Sequence, residues 1–217
     1  MFKSLSLKVI IFGFIFTFFS SFGQSFFIGL FNPSVRDALN ISHGQFGSIY
    51  ATATLLSSFL FIWVGKKIDD INVLRFALYV TVLLSFSCFF FSKISSIVFL
   101  FIAIFLMRFS GQGMMSHTAS TTISRYFTKS RGKALSIGWF GLSVAEFILP
   151  VTIIYLLTIY NWQNIWIFIS LLVLVFLPIA SYFLIKELNL DSRENAENNE
   201  VKNKDIKQWA RIEVIKD

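Results

Sequence analysis

Six apolar segments dominate this sequence, and each is long enough to cross a lipid bilayer, which takes about 20 mostly apolar residues. They lie at roughly Val9–Phe31, Phe46–Val64, Phe76–Ser92, Ser96–Ser124, Ala134–Ile159 and Gln163–Ile185. Hydrophobic residues make up 55% of the 217 residues and charged residues only 14%, a composition too apolar for a soluble domain of this length. We therefore predict an all-α polytopic membrane protein with six transmembrane helices.

The basic residues between the segments predict which side of the membrane each loop occupies. A cytoplasmic N-terminus places most of the loop Lys and Arg residues on the inner side, as the positive-inside rule requires. The inner set is Lys3, Lys8, Lys66, Lys67, Arg75, Arg125, Lys129, Arg131 and Lys133, and the outer set is Arg36 and Lys93. Both termini are then cytoplasmic. The net charge of +7 follows from this topology, so we expect no nucleic-acid partner.

Composition divides the chain into three regions. Residues 1–186 contain the six-span transmembrane bundle, which we expect in the plasma membrane, the inner membrane of a bacterium. Residues 187–204 are polar and rich in Asn, which predicts a disordered cytoplasmic linker. Residues 205–217 are predicted to form an amphipathic helix on the membrane face. Its apolar residues recur at steps of three, at Ile206, Trp209, Ile212 and Ile215.

Two ionisable residues lie deep inside apolar segments, Arg108 in the fourth and Glu146 in the fifth. A charge at the bilayer centre costs about 2.5–3.5 kcal/mol on insertion scales, so it normally faces a partner or a water-filled cavity. Measured from Arg125 and Lys133 at the intervening loop, the two residues lie about 25 and 20 Å deep at 1.5 Å per helical residue. We therefore expect Arg108 and Glu146 to meet across neighbouring helices, with Glu146 able to change its protonation state.

Other polar residues in the segments leave alternatives open. Gln24 either makes a helix–helix hydrogen bond or lines a cavity. His117 either titrates near neutral pH or makes an interhelical hydrogen bond, and the polar run Ser116–Thr122 either lines an aqueous vestibule or bonds back to helix carbonyls. With His43 far from His117 and Cys88 the only cysteine, we expect no metal site and no cofactor.

The loop between the second and third segments contains a recognisable pattern, G-K-K-I-D-D-I-N-V-L-R from Gly65 to Arg75. It resembles the corresponding loop of the major facilitator superfamily, which has a glycine, an acidic residue four positions later, a second glycine and clustered basic residues. Gly65, Asp69 and Arg75 match, and the resemblance implies that they belong to a loop that tunes conformational switching. Asp70 replaces a usual base. Asn72 replaces the second glycine, and because Asn tolerates a left-handed backbone the turn can persist.

The fourth segment carries a second pattern, Arg108-Phe-Ser-Gly111-Gln-Gly113. It resembles the fourth-helix motif of the same superfamily, an intramembrane arginine followed by glycines. The resemblance implies that Arg108 takes part in proton coupling or binds an anionic substrate, while Gly111 and Gly113 allow close helix packing. In the fifth segment, Gly138 and Gly141 match only part of the family's antiporter glycine series, so antiport is not predicted.

The resemblance extends over nearly the whole chain but supplies one half of a twelve-helix transporter, built from two inverted three-helix repeats. It implies a partner half of six spans, provided by a separate chain, by further sequence or by a second copy. The predicted function is secondary active transport of a small solute, with an organic anion as one candidate, by proton-coupled alternating access. A truncated or split half that is inactive without its partner is the alternative.

A membrane enzyme is a further alternative, because Gly141-Leu-Ser143 offers a Gly-x-Ser sequence of the kind found in intramembrane proteases. Nucleophilic catalysis needs a base within hydrogen-bond reach of the serine. The sixth segment has no histidine, so His117 in the fourth would have to serve. We therefore predict that the protein is not an enzyme.

Overall fold

The computed structural model describes residues 4–188, and this part of the chain is helical without strands. Six of its helical stretches are long and apolar enough to span a membrane: Leu5–Gly23, His43–Asp69, Val73–Ser92, Ile97–Tyr126, Arg131–Leu157 and Trp162–Ile185. The predicted all-α fold with six spans is confirmed. The cytoplasmic location of the termini stays a prediction. Apart from Glu187 and Leu188, the predicted linker and interfacial helix lie outside the described residues.

Nine α-helices build the described part of the chain. The first five are α1 (Ser4–Ser20), α2 (Ser25–Leu30), α3 (Asn32–Leu39), α4 (His43–Val64) and α5 (Val73–Ser92). The last four are α6 (Ile97–Met107), α7 (Ser116–Tyr126), α8 (Arg131–Leu157) and α9 (Trp162–Ile185). Short 3₁₀ helices, Ser21–Gly23 and Gly65–Asp69, follow α1 and α4. A π-helix, Arg108–Met115, joins α6 to α7 inside the fourth span.

The first span is interrupted, whereas the sequence predicts one continuous segment over Val9–Phe31. Regular helix ends with the 3₁₀ turn at Gly23, and Gln24 is extended at φ −82° and ψ 155° before α2 begins. At this break the chain crosses the fourth span so closely that a Cβ on Gly23 would lie 2.3 Å from the carbonyl oxygen of Met107. A side chain larger than glycine therefore has no room at the crossing.

Side-chain caps start α4, α5 and α6, the last through the hydroxyl of Ser96, which accepts a hydrogen bond from the Phe99 N–H at 3.4 Å. The hydroxyl of Ser42 accepts a hydrogen bond from the backbone N–H of Gln45, whose side chain accepts one from the Ser42 N–H in return. This capping box starts α4 at His43. The expectation of a left-handed Asn72 is wrong: its φ is −53°, and its side-chain oxygen accepts a bond from the Leu74 N–H to cap α5. At Asn72, a helix cap therefore takes the place of the turn that the family's glycine would form.

Helix packing brings α5 against α9 and α1 against α8. Between α5 and α9, the hydroxyls of Ser85 and Ser170 each donate to the other's backbone carbonyl at 2.9 Å. Between α1 and α8, a Cβ on Gly138 would lie 2.4 Å from the Ile123 side chain of α7 and one on Gly141 would lie 2.1 Å from the Phe14 carbonyl oxygen. Gly141 therefore lets α1 and α8 touch at the backbone, while Gly138 leaves room for the Ile123 side chain.

Candidate functional site

A cavity of about 360 Å³ lies between the second, fourth and fifth spans. Its lining is mixed, with one cationic side chain, several hydroxyls and three aromatic rings. α4 contributes Ser57, Ser58 and Phe61; the π-helix contributes Arg108, Phe109, Gln112 and Gly113; α7 contributes Ser116, His117 and Ser120; and α8 contributes Trp139. A polar cavity inside a helical membrane bundle can hold a solute or water.

Arg108 is 7% exposed and is held by the first span. Its Nη1 donates to the carbonyl oxygen of Gly23 at 3.0 Å and to the hydroxyl of Ser25 at 3.3 Å. The Tyr50 ring lies 5.4 Å from the guanidinium carbon, and the Tyr50 hydroxyl donates to Ser25 at 2.8 Å. The buried Nε of Arg108 has no hydrogen-bond partner. Within residues 4–188, a carbonyl dipole, a hydroxyl and an aromatic face therefore surround this cation, and no carboxylate forms an ion pair with it.

The expected ion pair between Arg108 and Glu146 is not formed. Within residues 4–188, the ion pairs are Lys8–Glu187, Lys67–Asp70 and Arg125–Asp69. Glu146 is exposed on α8 and does not line the cavity. The reason is rotational: α8 turns its small residues Gly138, Gly141 and Ala145 toward the bundle, and each following residue is displaced by about 100° around the axis. Glu146 follows the buried Ala145 and so points outward.

His117 makes the interhelical hydrogen bond that was one of its two predicted alternatives. Its Nε2 lies 3.0 Å from the carbonyl oxygen of Gly65, and because a carbonyl only accepts, Nε2 carries the proton. The Phe61 ring packs edge-on against the imidazole at 5.3 Å between centroids. His117 thus reaches both the cavity and the end of α4.

Gln24 does not line the cavity. It lies half-buried at the break of the first span, with an extended backbone. Its neighbours Gly23 and Ser25 contact Arg108 instead. The break, rather than the Gln24 amide, therefore provides the polar surface of the first span at this site.

The polar run of α7 divides between two roles. The buried hydroxyls of Thr118 and Thr122 donate to carbonyls four residues earlier, each at 2.7 Å. Ser116 and Ser120 line the cavity, where Ser120 accepts a hydrogen bond from the indole nitrogen of Trp139 at 3.2 Å. Both predicted alternatives therefore occur, on different faces of one helix.

Two side chains of the fourth span, Arg125 and His117, bind the loop that follows the second span. Arg125 donates to the carboxylate of Asp69 and, at 3.2 Å, to the carbonyl oxygen of Ile68. His117 holds Gly65, as described above. Arg75 lies exposed on α5. Movement of this loop relative to the fourth span would therefore break contacts at both of its ends.

Glycines of the fourth span lie where other elements approach. A Cβ on Gly111 would lie 2.6 Å from the backbone nitrogen of Gly23, so the first and fourth spans meet backbone to backbone. A Cβ on Gly113 would lie 3.2 Å from the Phe61 ring. The arginine contacts and the glycine crossing thus share one short stretch of the fourth span.

Several residues of the site were not singled out from the sequence. Tyr50, Ser57 and Phe61 recur at steps of seven and four along α4, a spacing that puts them on one helix face. This spacing could have identified the three residues as one face of the site from the sequence. Ser25 was not foreseeable as a ligand of Arg108, because its position depends on the interruption of the first span.

Together, six spans and a polar cavity with a buried arginine define a polytopic helical protein of the membrane-transport class. The family model of the Major Facilitator Superfamily matches residues 13–216, so the chain belongs to this family. The predicted family resemblance is confirmed, and membership indicates a secondary transporter. No curated protein and no solved structure matches the chain significantly.

Proposed function

We propose that this chain forms one half of a secondary transporter for a small anionic solute, and that the cavity at Arg108 is part of its binding site. The buried Arg108 guanidinium without a carboxylate partner carries this proposal. Burying a cation away from water costs several kcal/mol unless an anion and hydrogen bonds compensate it. A bound anion supplies that compensation, and its departure restores the uncompensated state.

Glu146 is the proposed proton carrier of the cycle. It is exposed on the fifth span and makes no ion pair within the described residues. A carboxylate is tolerated in a membrane only beside water or a donor, so Glu146 would bind a proton when it is separated from both. Proton uptake and release at Glu146 would then accompany the exchange between two conformations.

The exposed faces of α4 and α8 are the proposed contact with a second six-span body. In the apolar 18-residue stretches of these two spans, only 11% and 17% of the residues are buried, whereas the value is 50% in the third and fourth spans. Lipid tails cannot hydrogen-bond, so lipid-facing residues are expected to be apolar. The exposed residues of α4 and α8 nevertheless include Thr52, Ser58, Ser143, Glu146 and Thr152. The hydroxyls of Thr52, Ser58 and Thr152 donate to carbonyls of their own helices, so the carboxylate of Glu146 is the group that most favours a protein or a water-filled neighbour.

The contacts of Gly65 and Asp69 with the fourth span are the proposed conformational lock. Both contacts join the end of α4 to α7, so they hold the second span against the fourth. Alternating access requires parts of the bundle to exchange between two discrete packings. We propose that one packing retains these contacts and the other releases them.

Uptake into proteoliposomes tests the proposed function. The full chain is reconstituted alone and together with a candidate six-span partner half, and uptake of radiolabelled organic anions is measured under an inward proton gradient. The expected result is uptake that Arg108→Gln abolishes, while Arg36→Gln in the outer connection leaves it unchanged. Glu146→Gln should remove the dependence on the proton gradient but retain exchange of labelled for unlabelled solute.

Three results would contradict parts of the proposal. Uptake of a neutral solute that Arg108→Gln does not affect would contradict the proposed anion site. Uptake that remains proton-driven in Glu146→Gln would contradict the proposed role of Glu146 as proton carrier. Uptake by the chain alone, without the second body, would overturn the requirement for a partner.

A further inference from the structure

We propose that the acidic stretch at residues 191–200 of this chain binds to a basic surface on the loops that follow the second and fourth spans. The basic surface consists of five exposed cationic residues, Lys66, Arg75, Lys129, Arg131 and Lys133. It lies at the end of the bundle, away from the cavity. The inference therefore goes beyond the proposed function and does not rest on it.

The cations of the basic surface are free to take a partner. All five are exposed, and none of them forms an ion pair within residues 4–188. The acidic residues described at this end of the bundle are already paired with other cations. These ion pairs are Asp69–Arg125, Asp70–Lys67 and Glu187–Lys8. The described residues therefore leave the positive charge of the basic surface unbalanced.

Contacts between the spans bring the two loops together. Arg125, in the last turn of the fourth span, donates to the carboxylate of Asp69 in the loop after the second span. Only residues 127–130 separate α7 from α8, which begins at Arg131, so Lys129 and Arg131 follow directly on this contact. The cations of both loops therefore belong to one surface.

The chain passes from Leu188 to the acidic stretch beside this surface. The Nζ of Lys8 lies 3.0 Å from a carboxylate oxygen of Glu187, which holds the end of the sixth span against α1. Two residues earlier in α1, the hydroxyl of Ser6 lies 3.3 Å from the hydroxyl of Tyr126, the last residue of α7. An extended chain spans about 3.3–3.6 Å per residue, so residues 191–200 can reach the loop that follows α7.

The acidic stretch has the charge that complements the basic surface. Residues 191–200 contain one basic residue, Arg193, and four acidic residues, Asp191, Glu194, Glu197 and Glu200. Single exposed ion pairs are weak, but a tether gives a segment a local concentration on the order of millimolar, so several pairs can act together. An anionic lipid headgroup is the competing partner, and it lacks this tether. Bound across both loops, the acidic stretch would reinforce the contact between Arg125 and Asp69.

Zero-length cross-linking tests the proposal, because a carbodiimide joins a carboxylate to an amine only where the two groups touch. The full chain is placed as single copies in nanodiscs of neutral phosphatidylcholine, and the joined peptides are identified by mass spectrometry. We expect residues 191–200 to be joined to Lys66, Lys129 or Lys133.

Two lysines of the same chain serve as controls. Lys8 should be joined to Glu187, since this exposed pair is in contact. Lys93 is exposed between α5 and α6, at the opposite end of the bundle, and should not be joined to residues 191–200. In about 1 M sodium chloride the Debye length falls to about 3 Å, so joining to the basic surface should fall to the level of Lys93.

Substitutions assign the contacts to charge. Replacing the four acidic residues of the stretch by their amides should abolish the joining and leave the Lys8–Glu187 control unchanged. Lys129→Glu with Lys133→Glu should abolish the joining at these two positions. Adding Glu194→Lys and Glu197→Lys to that protein should restore it, with the amine and the carboxylate exchanged.

The outcomes that overturn the proposal are distinct. No joining of residues 191–200 while Lys8 is joined to Glu187 would show that the stretch does not bind. Joining that persists in about 1 M salt, or that the exchanged charges do not restore, would show proximity without charge pairing. Loss of the joining in nanodiscs with anionic phosphatidylglycerol would show that lipid headgroups occupy the basic surface instead. Each of these results leaves the anion site of the proposed function untouched.

Discussion

Nη1 of Arg108 lies 3.0 Å from the carbonyl oxygen of Gly23, so the backbone of the first span holds the buried cation of the fourth. This contact replaces the ion pair with Glu146 that the sequence suggests. In the described bundle, Arg108 and Glu146 therefore form no ion pair, and we expect their contributions to stability to be independent.

A double-mutant cycle on Arg108 and Glu146 measures that separation. The cycle compares the free energies of unfolding in detergent of four proteins: the wild type, Arg108→Gln, Glu146→Gln and the double variant. Residues without a shared contact give additive effects within about 0.5 kcal/mol, which is the expected result. A coupling free energy of several kcal/mol would show that the two side chains do meet, because breaking a buried pair costs about 3–5 kcal/mol.

Gly111→Ala tests the backbone crossing of the first and fourth spans. The new Cβ would lie 2.6 Å from the nitrogen of Gly23, so the spans must separate. We expect a loss of about 1–3 kcal/mol in the free energy of unfolding, typical of overpacking. Gly47→Ala on α4 is the control, since nothing lies within 4 Å of its Cβ position, and it should be neutral or stabilising. Equal destabilisation by both substitutions would argue against the crossing.

The paired serines between α5 and α9 give a third prediction. Ser85→Ala removes one hydroxyl of the reciprocal pair with Ser170, and Ser170→Ala removes the other. Hydrogen bonds between membrane helices contribute about 0.6 kcal/mol on average and up to about 1.7 kcal/mol, so each variant should lose that much stability. The measurement is the midpoint of unfolding in detergent, with Ser181→Ala on α9 as a control that has no bond to lose. Unchanged midpoints for both variants would contradict the pairing.

The ion pair between Lys8 and Glu187 gives a prediction about pH. The hydrogen bond from Lys8, at 3.0 Å, and the positive charge of that lysine lower the pKa of the exposed Glu187 carboxyl. A carboxyl with a lowered pKa stabilises the fold above its unfolded pKa of about 4.3, and this contribution is lost as the pH falls through the lower folded pKa. Carbon-13 NMR of the glutamate side chains should show the Glu187 pKa rising in Lys8→Gln. Lys186→Gln should raise it less, because Lys186 contributes only through its charge. A larger shift in Lys186→Gln would reverse the assignment.

The number and positions of the spans were predictable from this sequence because span length and hydrophobicity are local properties. The six spans follow from residues adjacent in the chain. The first span was misjudged because its break lies at a glycine crossing with the fourth span, a contact between distant positions.

The site was only partly predictable. Arg108 was identified because a charge inside an apolar segment is costly wherever it points. Its partners were not, since a long side chain in the membrane can be satisfied by carbonyls and rings as well as by acids. The rotation of Glu146 depends on which face of α8 packs on α1, and the small residues Gly141 and Ala145 decide that face.

The π-helix of the fourth span has a consequence for the chemistry of the cavity. Nine residues separate Arg108 from His117, and at 100° per residue a regular α-helix would place them about 180° apart, on opposite sides. Both nevertheless border the same cavity, because the wider turns of Arg108–Met115 alter the angular phase between α6 and α7. If this stretch rewound as a regular α-helix, the imidazole would swing away from the guanidinium, and the cavity would lose one of its two titratable side chains without any change in sequence.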